Sequence, residues 1–304
     1  MASLDSILVV VDPTVERDFV VDRAKVLLAA SHASVRFFIN SSNTLTQHTY
    51  AYEGMDGHFF EKQRLLFIEH YNKILESLLD EFTAMGINAT SSFSEEHNLA
   101  EAIIAQAKEY EPDLVLKSTH HHTALRKSII SNTDWRLIRK CPAKLMLVKD
   151  REWLEDGSIV TSVDPLHAKA AQNKLDHLLI QTTESLATQL HQQARVFHCY
   201  FPFVSTMFPT VSETSSQVEE LRQRHQSKLD ELLASHNIEK EHVKMASGDL
   251  VPALVNYLEK SNANLLVIGA LSRNVIERAI VGNTAEKILD DCPCDVLVVK
   301  PGPS

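Results

Sequence analysis

The strongest constraint on the fold of this chain is that it occurs twice. Segment 89–149 aligns without a gap on segment 240–300, at a constant offset of 151 residues. Leu99 falls on Leu250, Ala102 on Ala253, Asn132-Thr133 on Asn283-Thr284, Cys141-Pro142 on Cys292-Pro293 and Val148-Lys149 on Val299-Lys300. Upstream, Val11-Asp12-Pro13 recurs as Val163-Asp164-Pro165, one residue further out of register. Solenoid repeats have periods of roughly 20–50 residues, so a repeat this long is a whole domain. We therefore expect one domain over 1–149, a charged linker over 150–157 and a second domain over 158–304. Positions the copies share report on the fold. Positions where they differ report where chemistry was kept or lost.

Each copy reads as alternating strands and helices. Ile7-Leu-Val-Val-Val-Asp12 is a continuous apolar run, as expected of a strand buried on both faces. A helix is expected over 15–32, a strand over 34–40, a long helix over 57–85 and a weaker strand over 88–94. Asn98 is placed to cap a helix reaching Tyr110. A strand over 113–118, a helix over 132–140 and a strand over 143–149 complete the copy. The second copy repeats the order, with strands near 158–164, 194–200, 240–246, 264–269 and 295–300. Its helices fall near 167–190, 212–236, 250–261 and 282–291. The order implies an α/β fold of two tandem, doubly wound, mostly parallel five-stranded sheets with helices on both faces.

Composition narrows the partners. The formal charge is −10 over 304 residues, with no long basic block, which argues against general nucleic-acid binding. No run of 18 apolar residues exists, so no membrane span is expected. The start, Met1-Ala2-Ser3-Leu4-Asp5, lacks the basic region of a signal peptide. The four cysteines make no disulfide framework, and a cytoplasmic protein with reduced, buried thiols is expected. Cys292-Pro293-Cys294 is not a Cys-x-x-Cys redox centre and reads as core.

Ligands of open α/β sheets bind beyond the carboxyl ends of the strands, near the reversal of strand order. Asp12 and Asp164 end the first strand of each copy. In the second copy, Val267-Ile268-Gly269-Ala270-Leu271-Ser272 is followed by nine residues and then Gly282-Asn283-Thr284. A strand ends in glycine, a loop follows, and another glycine opens a helix. This resembles the universal stress protein family, whose nucleotide-binding members carry Gly-x2-Gly-x9-Gly-Ser/Thr here and an aspartate after strand one. The paired Val-Asp-Pro, the Gly-Asn-Thr of the second copy and the Cys-Pro…Val-Lys that ends each copy agree with it, and the resemblance covers both copies. The tandem resembles the E-type branch of that family. The resemblance implies a nucleotide-binding, α-hydrolase-like fold. It also implies two domains paired within the chain about a pseudo-two-fold axis through their last strands, Leu145–Val148 and Val296–Val299, with further oligomerisation open.

The same resemblance implies ATP in the second domain, held by Asp164, Gly269, Ser272, Gly282, Asn283 and Thr284. Glycines let backbone N–H groups approach phosphate oxygens, and a helix N-terminus supplies unpaired donors. The chain departs from the pattern at Ser272, where the second glycine belongs, and at Asn283, where serine is common. In the first copy the motif is gone: Lys117-Ser118 replaces Ile268-Gly269, His121 replaces Ser272 and Ser131 replaces Gly282. Lys117 is expected to pair with Asp12, with an anionic headgroup as the alternative.

The first copy has Lys117-Ser118-Thr119-His120-His121-His122 instead. The first reading of this stretch is a solvated polar loop. The alternative is a zinc site: in extended chain His120 and His122 point the same way and could chelate the ion with a third ligand from Asp12, Glu95, Glu96, His97 or His48. Two functions are thus carried forward. The first is a stress-response protein that binds a small-molecule or nucleotide ligand without efficient catalysis, and no catalytic residue is assigned. The second is a weak ATP hydrolase or a zinc-dependent ligand binder. Hydrolysis requires a group that orients water. Asp249 is the best candidate, although it also sits where a helix cap is needed.

Overall fold

The computed structural model describes residues 4–15, 17–41, 57–119, 130–166, 170–202, 215–269 and 283–300, without the side chains at 57–60, 170–172, 215 and 283–286. They form two compact units, one within 2–120 and 131–150 and the other from Arg151 on.

The first unit contains strands β1 (Ser6–Val10), β2 (Ser34–Asn40), β3 (Ala89–Ser94), β4 (Leu114–Ser118) and β5 (Lys144–Val148). Its helices are α1 (Phe19–Ala29), α2 (Gly57–Ala84), α3 (Leu99–Tyr110) and α4 (Asn132–Lys140). The strands are parallel, in the order β3-β2-β1-β4-β5. Ile7, Leu8 and Val9 are wholly buried, as a strand covered by helices on both faces requires. The sheet reverses its order between β1 and β4, so their carboxyl ends diverge and leave a crevice. The helix expected over 15–32 is shorter at both ends. Asp18 starts it late, because its side chain accepts from Val20 N at 3.1 Å and caps the first turn. Asn98 caps α3 as expected, accepting from Glu101 N at 3.2 Å.

The second unit contains β6 (Ser158–Ser162), β7 (Gln193–Tyr200), β8 (Val243–Ser247), β9 (Ala263–Gly269) and β10 (Asp295–Val299). Its helices are α5 (Ala170–Gln189), α6 (Ser215–Leu233), α7 (Leu250–Lys260) and α8 (Asn283–Asp291). The order is again parallel, β8-β7-β6-β9-β10. The strand expected over 240–246 begins only at Val243, because Lys240–His242 closes a 3-10 turn before it. Helices α5 and α6 pack side by side and cover β6 and β7 through Val163, Ile180, Val196, Leu229 and Leu232.

The stretch read as a linker is anchored to the second unit. Trp153 Nε1 donates to Asp295 Oδ2 at 2.8 Å. Asn264 accepts from Leu154 N at 2.9 Å and donates to Leu154 O at 2.7 Å. Gly157 lies against Asn264 so closely that a Cβ there would sit 2.0 Å from its Nδ2. The amide of one fully buried side chain therefore satisfies the backbone of the segment that enters β6.

Candidate functional site

At the carboxyl edge of the first unit, β4 and α4 are joined by an ion pair. Lys117 Nζ, at the end of β4, lies 2.9 Å from Asp134 Oδ1 in the first turn of α4. It also donates to Ser118 O at 2.7 Å. The expected partner, Asp12, is engaged elsewhere: its Oδ1 accepts from Thr14 N at 2.9 Å and from Thr14 Oγ1 at 2.6 Å. The reason is local, since a carboxylate two residues before a backbone N–H closes an Asx turn more readily than it reaches a neighbouring strand.

Asp134 has a second duty. Its Oδ2 accepts from Ser131 N at 2.9 Å and from Ser131 Oγ at 2.7 Å, while Ser131 Oγ accepts from Asp134 N at 3.1 Å. This is a capping box, and it occupies donors at the helix N-terminus that a bound anion would otherwise use. Asp134 is only 1% exposed, so its charge is compensated by Lys117 and by the cap rather than by water. Sequence reasoning stopped short of this role for Asp134, although Ser131-x-x-Asp134 carries the capping signature.

The matching positions in the second unit carry none of these groups. Lys117 corresponds to Ile268, Ser131 to Gly282 and Asp134 to Ala285. None of those three side chains can cap a helix or place a charge beside it. Of the expected site residues, Asp164 is exposed just past the end of β6, and its Oδ1 accepts from Leu166 N at 3.4 Å. Gly269 is the last residue of β9 and pairs in register with Val299. A Cβ at Gly269 would meet Leu175 Cδ2 at 2.6 Å, so α5 already uses the space that the glycine leaves. Asn283 and Thr284 open α8. Ser272, Gly282, His120 and His122 lie outside the described residues.

Two histidines that the sequence did not single out stand beside Asp164. His198, on β7, is buried, and its Nδ1 lies 3.0 Å from Val163 O. Its Nε2 lies 2.8 Å from Nδ1 of His225, on α6. A carbonyl only accepts, so in the neutral pair Nδ1 of His198 carries the proton, its Nε2 accepts from His225, and His225 presents a bare Nε2. Burial pushes the pKa of both rings down, against the upward pull of the Asp164 carboxylate. The Tyr200 ring stacks on His225 with centroids 5.1 Å apart. His198 and His225 stand 27 positions apart in no motif, and only the packing of α6 on β7 brings them together.

Asp249 acts as the helix cap. Its Oδ1 accepts from Val251 N at 3.2 Å at the start of α7. Cys292 and Cys294 are buried with their sulfurs 3.6 Å apart, and burial pushes the Cys294 thiol well up, which suits core thiols.

The model of the family described as Universal stress protein family matches residues 4–149 and 168–300. The chain is 25% identical to Universal stress protein E of Photorhabdus laumondii, across 99% of this chain and 96% of that protein. It is 31% identical to Universal stress protein E of Escherichia coli K12 across 66% of this chain and 65% of that protein. Its fold is similar to that of a putative universal stress protein from Pseudomonas aeruginosa. The TM-score is 0.76 at 21% identity, over 99% of this chain and 94% of that one.

Proposed function

The chain belongs to the universal stress protein family, with the family's domain twice in tandem, and we propose that its second domain alone binds an adenine nucleotide, ATP, without efficient turnover. The observation that carries this is the contrast between the two equivalent helix N-termini. In the first unit, Ser131 and Asp134 cap α4, and Lys117 neutralises the carboxylate. A phosphate there would have to displace a buried ion pair and meet the negative charge of Asp134. In the second unit the matching Gly282, Ala285 and Ile268 leave the N–H groups at the start of α8 without a side-chain cap of this kind. The first turn of a helix has N–H groups with no intrahelical partner, and these and the positive end of the helix dipole favour an anion at such a terminus.

The remaining roles follow from position. Gly282 lets the phosphates approach the backbone, Thr284 and Ser272 supply hydroxyl donors, and Asn283 supplies an amide. Asp164 accepts from a ribose hydroxyl. Gly269 keeps the end of β9 free of a side chain, so that the strand end and Leu175 can pack closely. Asp249 is engaged as a cap, which removes the best candidate for orienting water and favours binding over hydrolysis. Among the described residues no helix is long and apolar enough to cross a membrane. We place the protein in the cytoplasm, where such a ligand is abundant.

Calorimetric titration of the purified chain with ATP tests this reading. The expected stoichiometry is one nucleotide per chain. Gly282→Val should abolish the heat, because a side chain fills the phosphate position, and Ser131→Ala should leave it unchanged. Equal loss in both variants overturns the asymmetric reading. Phosphate release that depends on Asp249 puts a hydrolase in its place.

A further inference from the structure

We propose that the cleft between α5 and α6 is a second binding site, for a phosphate monoester, in which His177 exchanges a hydrogen bond with the phosphate and Arg224 neutralises it. The cleft has a volume of about 400 Å³ and is lined by Pro165, Asn173, His177, Arg224, Lys228 and Glu231 among others. It lies on the helical face of the second unit, and none of its lining residues belongs to the glycine motif.

Three side chains in a row make His177 more than a surface histidine. Its Nδ1 lies 2.8 Å from Nε2 of His236, and the two rings stack with centroids 5.1 Å apart. His236 is only 2% exposed, and its Nδ1 lies 3.1 Å from Glu184 Oε2. The other oxygen of Glu184 accepts from Asn237 N at 2.6 Å, which fixes the carboxylate. A carboxylate accepts, so Nδ1 of His236 carries a proton and, in the neutral pair, its Nε2 accepts from His177. The Nε2 of His177 is then a bare acceptor. Adding one proton to the pair turns that same nitrogen into a donor. Glu184 and His236 therefore hold the ring in place in either state, as outer partners do for a histidine that binds a ligand.

The ligand class follows from the cleft's other groups. Lys228 is paired with Glu231 at 2.5 Å, so the two cancel at the rim. Arg224 has no ion-pair partner among the described residues, which leaves one guanidinium and one imidazole of either hydrogen-bonding sense. A phosphate monoester fits both. It forms charge-assisted bonds to the guanidinium. Its second pKa, about 6, lies close to that of imidazole, about 6.5. One proton can then sit on either side of the bond, on His177 Nε2 with a dianion or on the phosphate oxygen with a neutral ring. Burial and the neighbouring His236 push His177 down from its ordinary value, so the ring is neutral above pH 7. A fully deprotonated anion such as sulfate offers no donor to the neutral ring and gains only the attraction of Arg224.

The test uses the full chain, titrated separately with inorganic phosphate, glycerol 3-phosphate and sulfate, and followed through the imidazole nitrogen signals in NMR spectra. The signal of His177 Nε2 should move saturably with both phosphates and about tenfold less readily with sulfate at a pH above 7, where the ring is neutral. Arg224→Ala should weaken phosphate binding about tenfold, and Gly282→Val, which addresses the nucleotide site, should leave it unchanged. His177→Gln should remove it while circular dichroism shows an intact fold. No saturable shift with either phosphate, or equal affinity for sulfate, overturns the proposal. A shift produced by ATP alone and lost in Gly282→Val also overturns it, because the cleft would then be an extension of the nucleotide site. Failure of ATP binding with retained phosphate binding leaves this inference standing and removes the other.

Discussion

Lys117 Nζ lies 2.9 Å from Asp134 Oδ1, at the point of the first domain where the second domain carries Ile268 and Ala285. The matching positions thus carry an internal ion pair in one copy and two uncharged residues in the other. In the first domain the N-terminus of α4 is satisfied from within the chain, by the capping box of Ser131 and Asp134.

The pair can be weighed against its apolar replacement. Lys117→Ala leaves the Asp134 carboxylate buried without its cation and should destabilise the chain by about 3 kcal/mol in urea unfolding. The double variant Lys117→Ile, Asp134→Ala copies the second domain. It should cost less than the single change, close to the roughly 1 kcal/mol of a lost cap. A double variant worse than Lys117→Ala would show that the ion pair itself stabilises the fold.

Gly157 and Asn264 should be strongly non-additive. Gly157→Ala puts a methyl group 2.0 Å from Asn264 Nδ2 and should cost about 3 kcal/mol. Asn264→Ala removes both bonds to Leu154 and should cost about 2 kcal/mol. With the amide gone the added methyl has room, so the double variant should unfold near the midpoint of Asn264→Ala alone. Simple addition of the two losses would contradict the packing described.

Gly269 separates packing from binding. Gly269→Ala forces Leu175 to rotate away, at a cost of about 1 kcal/mol, low because only the end of a leucine side chain must move. Leu175→Ala in the same chain should relieve that clash. Thermal denaturation of the three variants is sufficient, and a Gly269→Ala protein as stable as the parent would show that the contact is not felt.

Acid should weaken the second domain through His198. Its folded pKa is depressed by burial, so between the unfolded value of about 6.5 and the lower folded value the unfolded chain binds the extra proton. The contribution of the neutral ring is complete above about pH 6.5 and is lost as the pH falls from there towards the folded value. Urea midpoints measured from pH 7.5 down to pH 5 should fall, and fall less in His198→Gln, which keeps a donor for Val163 O. Identical slopes would remove His198 as the cause.

Most of the architecture was legible because it rests on local periodicity and on the duplication. Continuous apolar runs such as Ile7–Val11 mark strands buried on both faces, and the 151-residue offset carries each assignment from one copy to the other. Caps were legible where one short side chain decides them, as at Asn98 and Asp249. The partner of Lys117 was not, because two carboxylates stood near the same crevice and their distances depend on how β1, β4 and α4 pack. The two histidine pairs were not legible either. His198 with His225 and His177 with His236 lie 27 and 59 residues apart, and their contacts exist only once α5 and α6 are laid on the sheet.

The sequence by itself determined the repeat, the fold class and the asymmetry between Gly282 and Ser131. Periodicity, glycine and capping chemistry act over a few residues and need no partner from elsewhere. The tertiary structure alone decided that Asp134, not Asp12, holds Lys117, that Leu175 occupies the space over Gly269, and that Glu184 and His236 stand behind His177. Each of these is a distance between elements far apart in the chain, and such distances are set by how helices settle on a sheet, which no local pattern of residues encodes.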